Sequence, residues 1–136
     1  MATAVDSSVL LDVLLNDPQH AAASEAALSD AARNGLVICE VVIAEILPVL
    51  AEASIHEFLS DWQITFVPSS IESAALAGKM FGSYLERGGK RGRVVPDFLI
   101  AAHAQFHADG LLARDRGYYR DYFSALKLLD PSTTKI

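Results

Sequence analysis

One cysteine, Cys39, in 136 residues leaves no material for an intramolecular disulfide or a cysteine-rich zinc site, and that count is compatible with a reducing compartment. Excess positive charge is also missing. The 17 Asp and Glu against 11 Lys and Arg argue against a protein that grips nucleic acid through a broad basic surface, and leave room only for a local basic patch. Every apolar run is broken by charge or proline well before the ~20 residues a membrane span needs. Met1 to Val5 lead straight into an acid, without the basic region and apolar core of a signal peptide. The expectation is a soluble, cytoplasmic protein with no membrane contact. A Walker A sequence and a glycine-rich dinucleotide fingerprint are both absent.

What is present is a globular balance, 51% hydrophobic and 21% charged, in a length suited to one core, so residues 1–136 are expected to form a single domain. Thr3-Ala4-Val5 reads as a strand, and Asp6-Ser7-Ser8 offers N-cap side chains for a helix beginning near Val9. An alanine-rich helix is expected from Pro18 to Arg33 with Gly35 as its stop, followed by a strand at Leu36 to Cys39. Ile43, Ile46, Leu47 and Leu50 recur at helical spacing, with Pro48 as an interruption, and a further helix is expected from Ser54 to Trp62. Gln63 to Val67 is a third strand. Ser69 and Glu72 stand at capping-box spacing before a helix that runs to Gly88-Gly89. Beyond the basic loop Lys90-Arg91-Gly92-Arg93, Pro96 opens another helix, Leu111 to Ala113 is a fourth strand, Tyr118 to Phe123 a helical turn and Leu126 to Leu129 a fifth strand. Strands alternating with helices imply an α/β three-layer sandwich around a mostly parallel sheet of four or five strands.

In such sheets ligands bind at the carboxyl ends of the strands. Asp6 and Asp115 follow strands directly, Glu45 falls in the first two turns of the helix after strand two, and Asp97 in the first turn of the helix before strand four. Singly, Asp6 and Asp115 are explained as helix caps and Asp97 as a partner for a helix dipole. Glu45 resists that explanation, because Ala44 and Ile46 flank it in an apolar helix where an unpaired charge is costly. Together, four carboxylates at one rim repel by roughly 3 kcal/mol per pair at ~5 Å in an effective dielectric of ~20. A cation answers that repulsion, and hard oxygen ligands without cysteine suit Mg2+ or Mn2+. Phosphodiester hydrolysis is the chemistry that follows. Ser8 is expected to orient a carboxylate or to cap its helix, and Lys90, Arg91 and Arg93 to hold a nucleic-acid backbone.

Four segments, Val5-Asp6-Ser7-Ser8-Val9-Leu10-Leu11, Ala44-Glu45-Ile46, Pro96-Asp97-Phe98-Leu99-Ile100-Ala101-Ala102-His103-Ala104 and Leu112-Ala113-Arg114-Asp115-Arg116-Gly117-Tyr118-Tyr119, resemble the four acidic motifs of PIN domains. The resemblance spans nearly the whole chain and is strongest to the VapC toxins of type II toxin–antitoxin pairs. It implies a PIN-like fold, a Mg2+-dependent endoribonuclease that cuts RNA to arrest translation, a homodimer, and inhibition by a VapB-type antitoxin. Glu45 matches the Ala-Glu-Ile position of the second motif, with Glu40, at the end of strand two, as its neighbour. The apolar helices at Val9 to Leu15 and Ile43 to Phe58 offer surface for an antitoxin peptide.

Asp12, Asp109 and Asp121 fall off the motifs and read as solvated surface charge. His103 and His107 share a helix face but lack a third zinc-type ligand, and Tyr118, Tyr119, Tyr122 and Phe123 read as packing rather than base-stacking residues. The rivals are a PIN nuclease that processes RNA or cuts DNA, and a catalytically silent interaction protein of the same fold. A receiver domain is set aside, because the third strand ends in Val67-Pro68 where a phosphoacceptor Asp would be needed.

Overall fold

Short apolar strands and the helices that cover them decide this architecture. A computed structural model describes residues 2–90, 92, 94–114 and 117–133. Its strands are Thr3–Val5 (β1), Leu36–Ile38 (β2), Ile64–Phe66 (β3), Gly110–Leu112 (β4) and Leu128–Leu129 (β5). β1, β2 and β4 are buried along their whole length, as strands covered on both faces must be. All pairings are parallel and the order is β3-β2-β1-β4-β5, so β1 is central, with Ala4 opposite Val37 on one side and Leu111 on the other. Among the described residues the expected mostly parallel sheet is thus wholly parallel and has five strands.

The helices follow the expected order: Ser7–Leu14 (α1), Ala21–Ala31 (α2), Glu40–Ile46 (α3), Ile55–Trp62 (α4), Ile71–Glu86 (α5), Val95–His107 (α6) and Tyr118–Tyr122 (α7). The core runs between sheet and helices through Val9, Leu10, Leu28, Ile46, Phe98 and Ile100, each at most 1% exposed. Among the described residues no helix is long and apolar enough to cross a membrane.

Several boundaries differ from expectation by one or more residues, and three of the differences have a clear local reason. The second helix starts at Ala21 rather than Pro18, because the Asp17 carboxylate accepts from the amides of Gln19 and His20 and holds a turn ahead of it. The third helix tightens after Ile46 into a 3-10 turn, Leu47–Val49, that accommodates Pro48. The capping box is Ser70 with Ser73, not Ser69 with Glu72. The Ser69 amide is taken by the distant Glu40 carboxylate at 2.9 Å, which keeps Ser69 outside the helix.

His103, 1% exposed on α6, ties that helix to the end of β3: its Nε2–H donates to the Val67 carbonyl at 2.7 Å. Burial pushes its imidazole below the usual 6.5 and His107 pushes the same way, while the Val67 bond and nearby Glu40 oppose them. The unfolded chain therefore takes up this proton more readily than the folded one, so the contribution to stability is intact above about pH 6.5 and is lost as the pH falls below it. Thermal melts are expected to show a lower midpoint near pH ~5.5 than near pH ~7.5, with the gap narrowed in His103→Gln, which keeps an N–H for Val67. An unchanged gap in that variant places the titrating group elsewhere.

Candidate active site

The strand order makes β1 and β4 neighbours although the chain passes through β2 and β3 between them, and a reversal of this kind opens a crevice at the strand carboxyl ends. Asp6 lies at that point, its amide donating to the Leu112 carbonyl of β4 at 2.9 Å. It caps α1, as expected: Oδ2 accepts from the Ser8 amide at 3.2 Å. Capping does not require burial, yet Asp6 is only 4% exposed. Oδ2 also accepts from the Ser8 hydroxyl at 2.5 Å, and Oδ1 from the Tyr119 hydroxyl at 3.2 Å. These described partners are all neutral. They engage both oxygens but supply no opposing charge, and a carboxylate buried in this way favours a cation beside it.

Glu45 is brought toward Asp6 through the residue between them: the Ser7 hydroxyl donates to Glu45 Oε1 at 2.7 Å, joining α1 to α3. Glu40, the other glutamate of α3, is exposed and turned to the β3–α5 loop, where it accepts from the Ser69 amide. Partial burial of Glu40 acts to raise its pKa, but the hydrogen bonds from Ser69 and the helix start outweigh this and hold it below the usual range. Asp97 is half-buried in the first turn of α6. Its neighbour Phe98 packs edge-on against Tyr118 and Phe123, with ring centroids 5.9 and 5.6 Å away, so this end of α6 lies against the segment that follows β4. Asp115, Arg91 and Arg93 lie outside the described residues; Lys90 is exposed between α5 and α6. Among the described residues no three His, Cys, Asp or Glu side chains are grouped to hold a metal ion. The oxygen donors of Asp6 and Glu45 are nevertheless of the type a hard divalent cation takes.

Two features of this region escaped the sequence reading. Asp12 is not solvated surface charge: it is 3% exposed and paired with Arg114, whose Nε and Nη2 each donate at 2.9 Å. The argument applied to Glu45, a charge flanked by apolar residues in a helix, applies equally to Asp12 between Leu11 and Val13. Tyr119 packs as expected, with its ring buried, but its hydroxyl also reaches Asp6. Nothing in the sequence distinguishes it from Tyr118 or Tyr122. Those two do pack, with Phe81, Tyr84 and Phe98, in a cluster joining α5, α6 and α7, and the Arg87 guanidinium lies 5.0 Å above the Tyr122 ring. The His103 and His107 rings lie 4.9 Å apart, tilted by 43°, and His103 Nε2 is committed to the Val67 carbonyl.

Comparison with known proteins agrees with this architecture. The PIN domain family model matches residues 3–123. No curated protein sequence matches the chain. Among solved structures, VapBC-1 from nontypeable Haemophilus influenzae is similar with a TM-score of 0.72 and 20% identity over 98% of this chain and 100% of that one. VapBC2 from Rickettsia felis, bound to a DNA fragment from its promoter, gives 0.71 and 18% over 96% and 98%. FitAcB from Neisseria gonorrhoeae gives 0.69 and 19% over 97% and 99%. At these identities the likeness is one of fold.

The aromatic cluster sets where α6 and α7 stand at the rim, and Phe98, 0% exposed, is at its centre. Phe98→Ala is expected to lower unfolding stability in urea by about 3 kcal/mol or more, the usual cost of emptying a fully buried aromatic site. A loss below about 1 kcal/mol would mean that the rim is held by other contacts.

Proposed function

The chain belongs to the PIN-domain family, and from that premise we propose that it is a metal-dependent endoribonuclease of VapC type, the toxin of a toxin–antitoxin pair. The observation that carries this reading is the buried Asp6 carboxylate, whose described partners are hydroxyls and an amide. PIN domains are generally nucleases that use divalent metals, and the similar solved structures carry the names VapBC-1, VapBC2 and FitAcB. In this reading Asp6, Glu45 and Asp97 hold Mg2+ or Mn2+, and Asp115 completes the set on the family motif.

When bound, the ion supplies positive charge at the attacked phosphate and acidifies water for the attack. The protein's own part is to hold its carboxylates in place. Ser8 and Tyr119 fix the two oxygens of Asp6, and Ser7 fixes one oxygen of Glu45. Lys90, with Arg91 and Arg93, supplies the basic contacts for the RNA backbone that the acidic chain otherwise lacks. The partner is a VapB-like antitoxin seated on the half-exposed apolar faces of α1, α3 and α4. Leu15 and Val49, at 61% and 39% exposed, mark the ends of two of these segments. A homodimer in the cytoplasm belongs to the same reading.

Asparagine caps helices as well as aspartate does, so Asp6→Asn removes the charge while leaving the start of α1 intact. Asp6→Asn and Asp97→Asn are each expected to lower RNA cleavage more than about 100-fold with an unchanged circular dichroism spectrum. EDTA should stop the wild-type reaction and Mg2+ or Mn2+ restore it. Cleavage that resists EDTA, or full activity in both variants, contradicts the proposal.

A further inference from the structure

A salt bridge between Asp12 and Arg114 links α1 to the end of β4 within the region just described. The Asp12 oxygens accept a two-bond fork from the Arg114 guanidinium, and Oδ2 also accepts from the Ser24 hydroxyl of α2 at 2.7 Å. Asp12 is 3% exposed. Burying such a pair is seldom the cheapest route to stability, since apolar replacements are often as good, whereas a fork fixes direction closely. The direction it fixes is that of the Arg114 backbone. The Arg114 amide donates to Ser8 Oγ at 3.3 Å, and the Ser8 hydroxyl donates to Asp6 Oδ2.

A serine hydroxyl has one proton and rotates freely unless its lone pairs are engaged. With the Arg114 amide on its oxygen, the Ser8 proton is directed to Asp6. The bonds therefore run in one sense, from the amide through the hydroxyl to the carboxylate, and each strengthens the next. We infer that Asp12 and Arg114 are positioning residues for the Asp6 carboxylate, acting through Ser8. This role rests on the proposed function, in which Asp6 is a metal ligand. Hydrogen-bonded partners of metal-binding carboxylates have this kind of influence on affinity.

The test is direct Mn2+ binding without RNA, followed by the electron paramagnetic resonance signal of free Mn2+. Arg114→Lys keeps the charge but cannot form the fork. Arg114→Lys and Ser8→Ala are each expected to weaken Mn2+ binding about tenfold. The double variant should be no weaker than the weaker single one, because both break the same chain of bonds. Leu36→Ala, at the far end of β2 and 1% exposed, should lower the melting temperature while leaving Mn2+ affinity unchanged. That control separates positioning from a loss of stability.

Wild-type affinity in Arg114→Lys, or losses that multiply in the double variant, overturns the inference. If Arg114→Lys does not fold, Ser8→Ala decides, and unchanged binding there overturns it equally. If wild type and Asp6→Asn bind Mn2+ alike, the nuclease reading fails first and the positioning role with it.

Discussion

The charge on Asp6 constrains everything around it. A carboxylate at the end of the central strand of a parallel sheet is surrounded by strand ends and helix starts, where water is scarce and the cost of an unmatched anion is high. The helix that begins there contributes its dipole and an amide, and two hydroxyls supply the remaining donors. Those hydroxyls come from distant places, Ser8 on α1 and Tyr119 on α7, so satisfying one carboxylate requires the segment after β4 to lie against the segment after β1. Gly117 makes that approach feasible: its φ of 97° is open to glycine at little cost and turns the chain into α7.

The aromatic cluster acts on the same geometry from the other side. Phe98 and Tyr84 meet Tyr118 and Tyr122, so the helix that carries Asp97 and the helix that carries Tyr119 share one packed block. Close-packed interiors transmit strain, so the seating of these helices bears on the surroundings of Asp6. Tyr119 belongs to both systems, with its ring in the core and its hydroxyl on the carboxylate.

Much of this was legible in the sequence because it rests on local patterns. The strand–helix order, the parallel sheet and the helix cap at Asp6 follow from apolar runs, helical spacing and cap residues. Features that depend on contacts distant in the chain were not legible. Glu40 and Glu45 both sit on one short helix, and only the partners, Ser69 for one and Ser7 for the other, separate them. The displaced capping box has the same origin, since Glu40 lies far from Ser69 in sequence. The burial of Asp12 is hard to foresee because its partner, Arg114, is 102 residues away, though its apolar flanks are a usable signal.

The proposed chemistry draws on the family membership and on the buried carboxylate, which are independent of each other. One concerns the pattern of the whole chain, the other the physics of a single group. The most direct measurement of the central claim is an anomalous difference map from crystals of the wild-type chain soaked in Mn2+. The account predicts a peak within coordination distance of the Asp6 carboxylate. Mn2+ bound only elsewhere, or no peak at saturating ion, would contradict it.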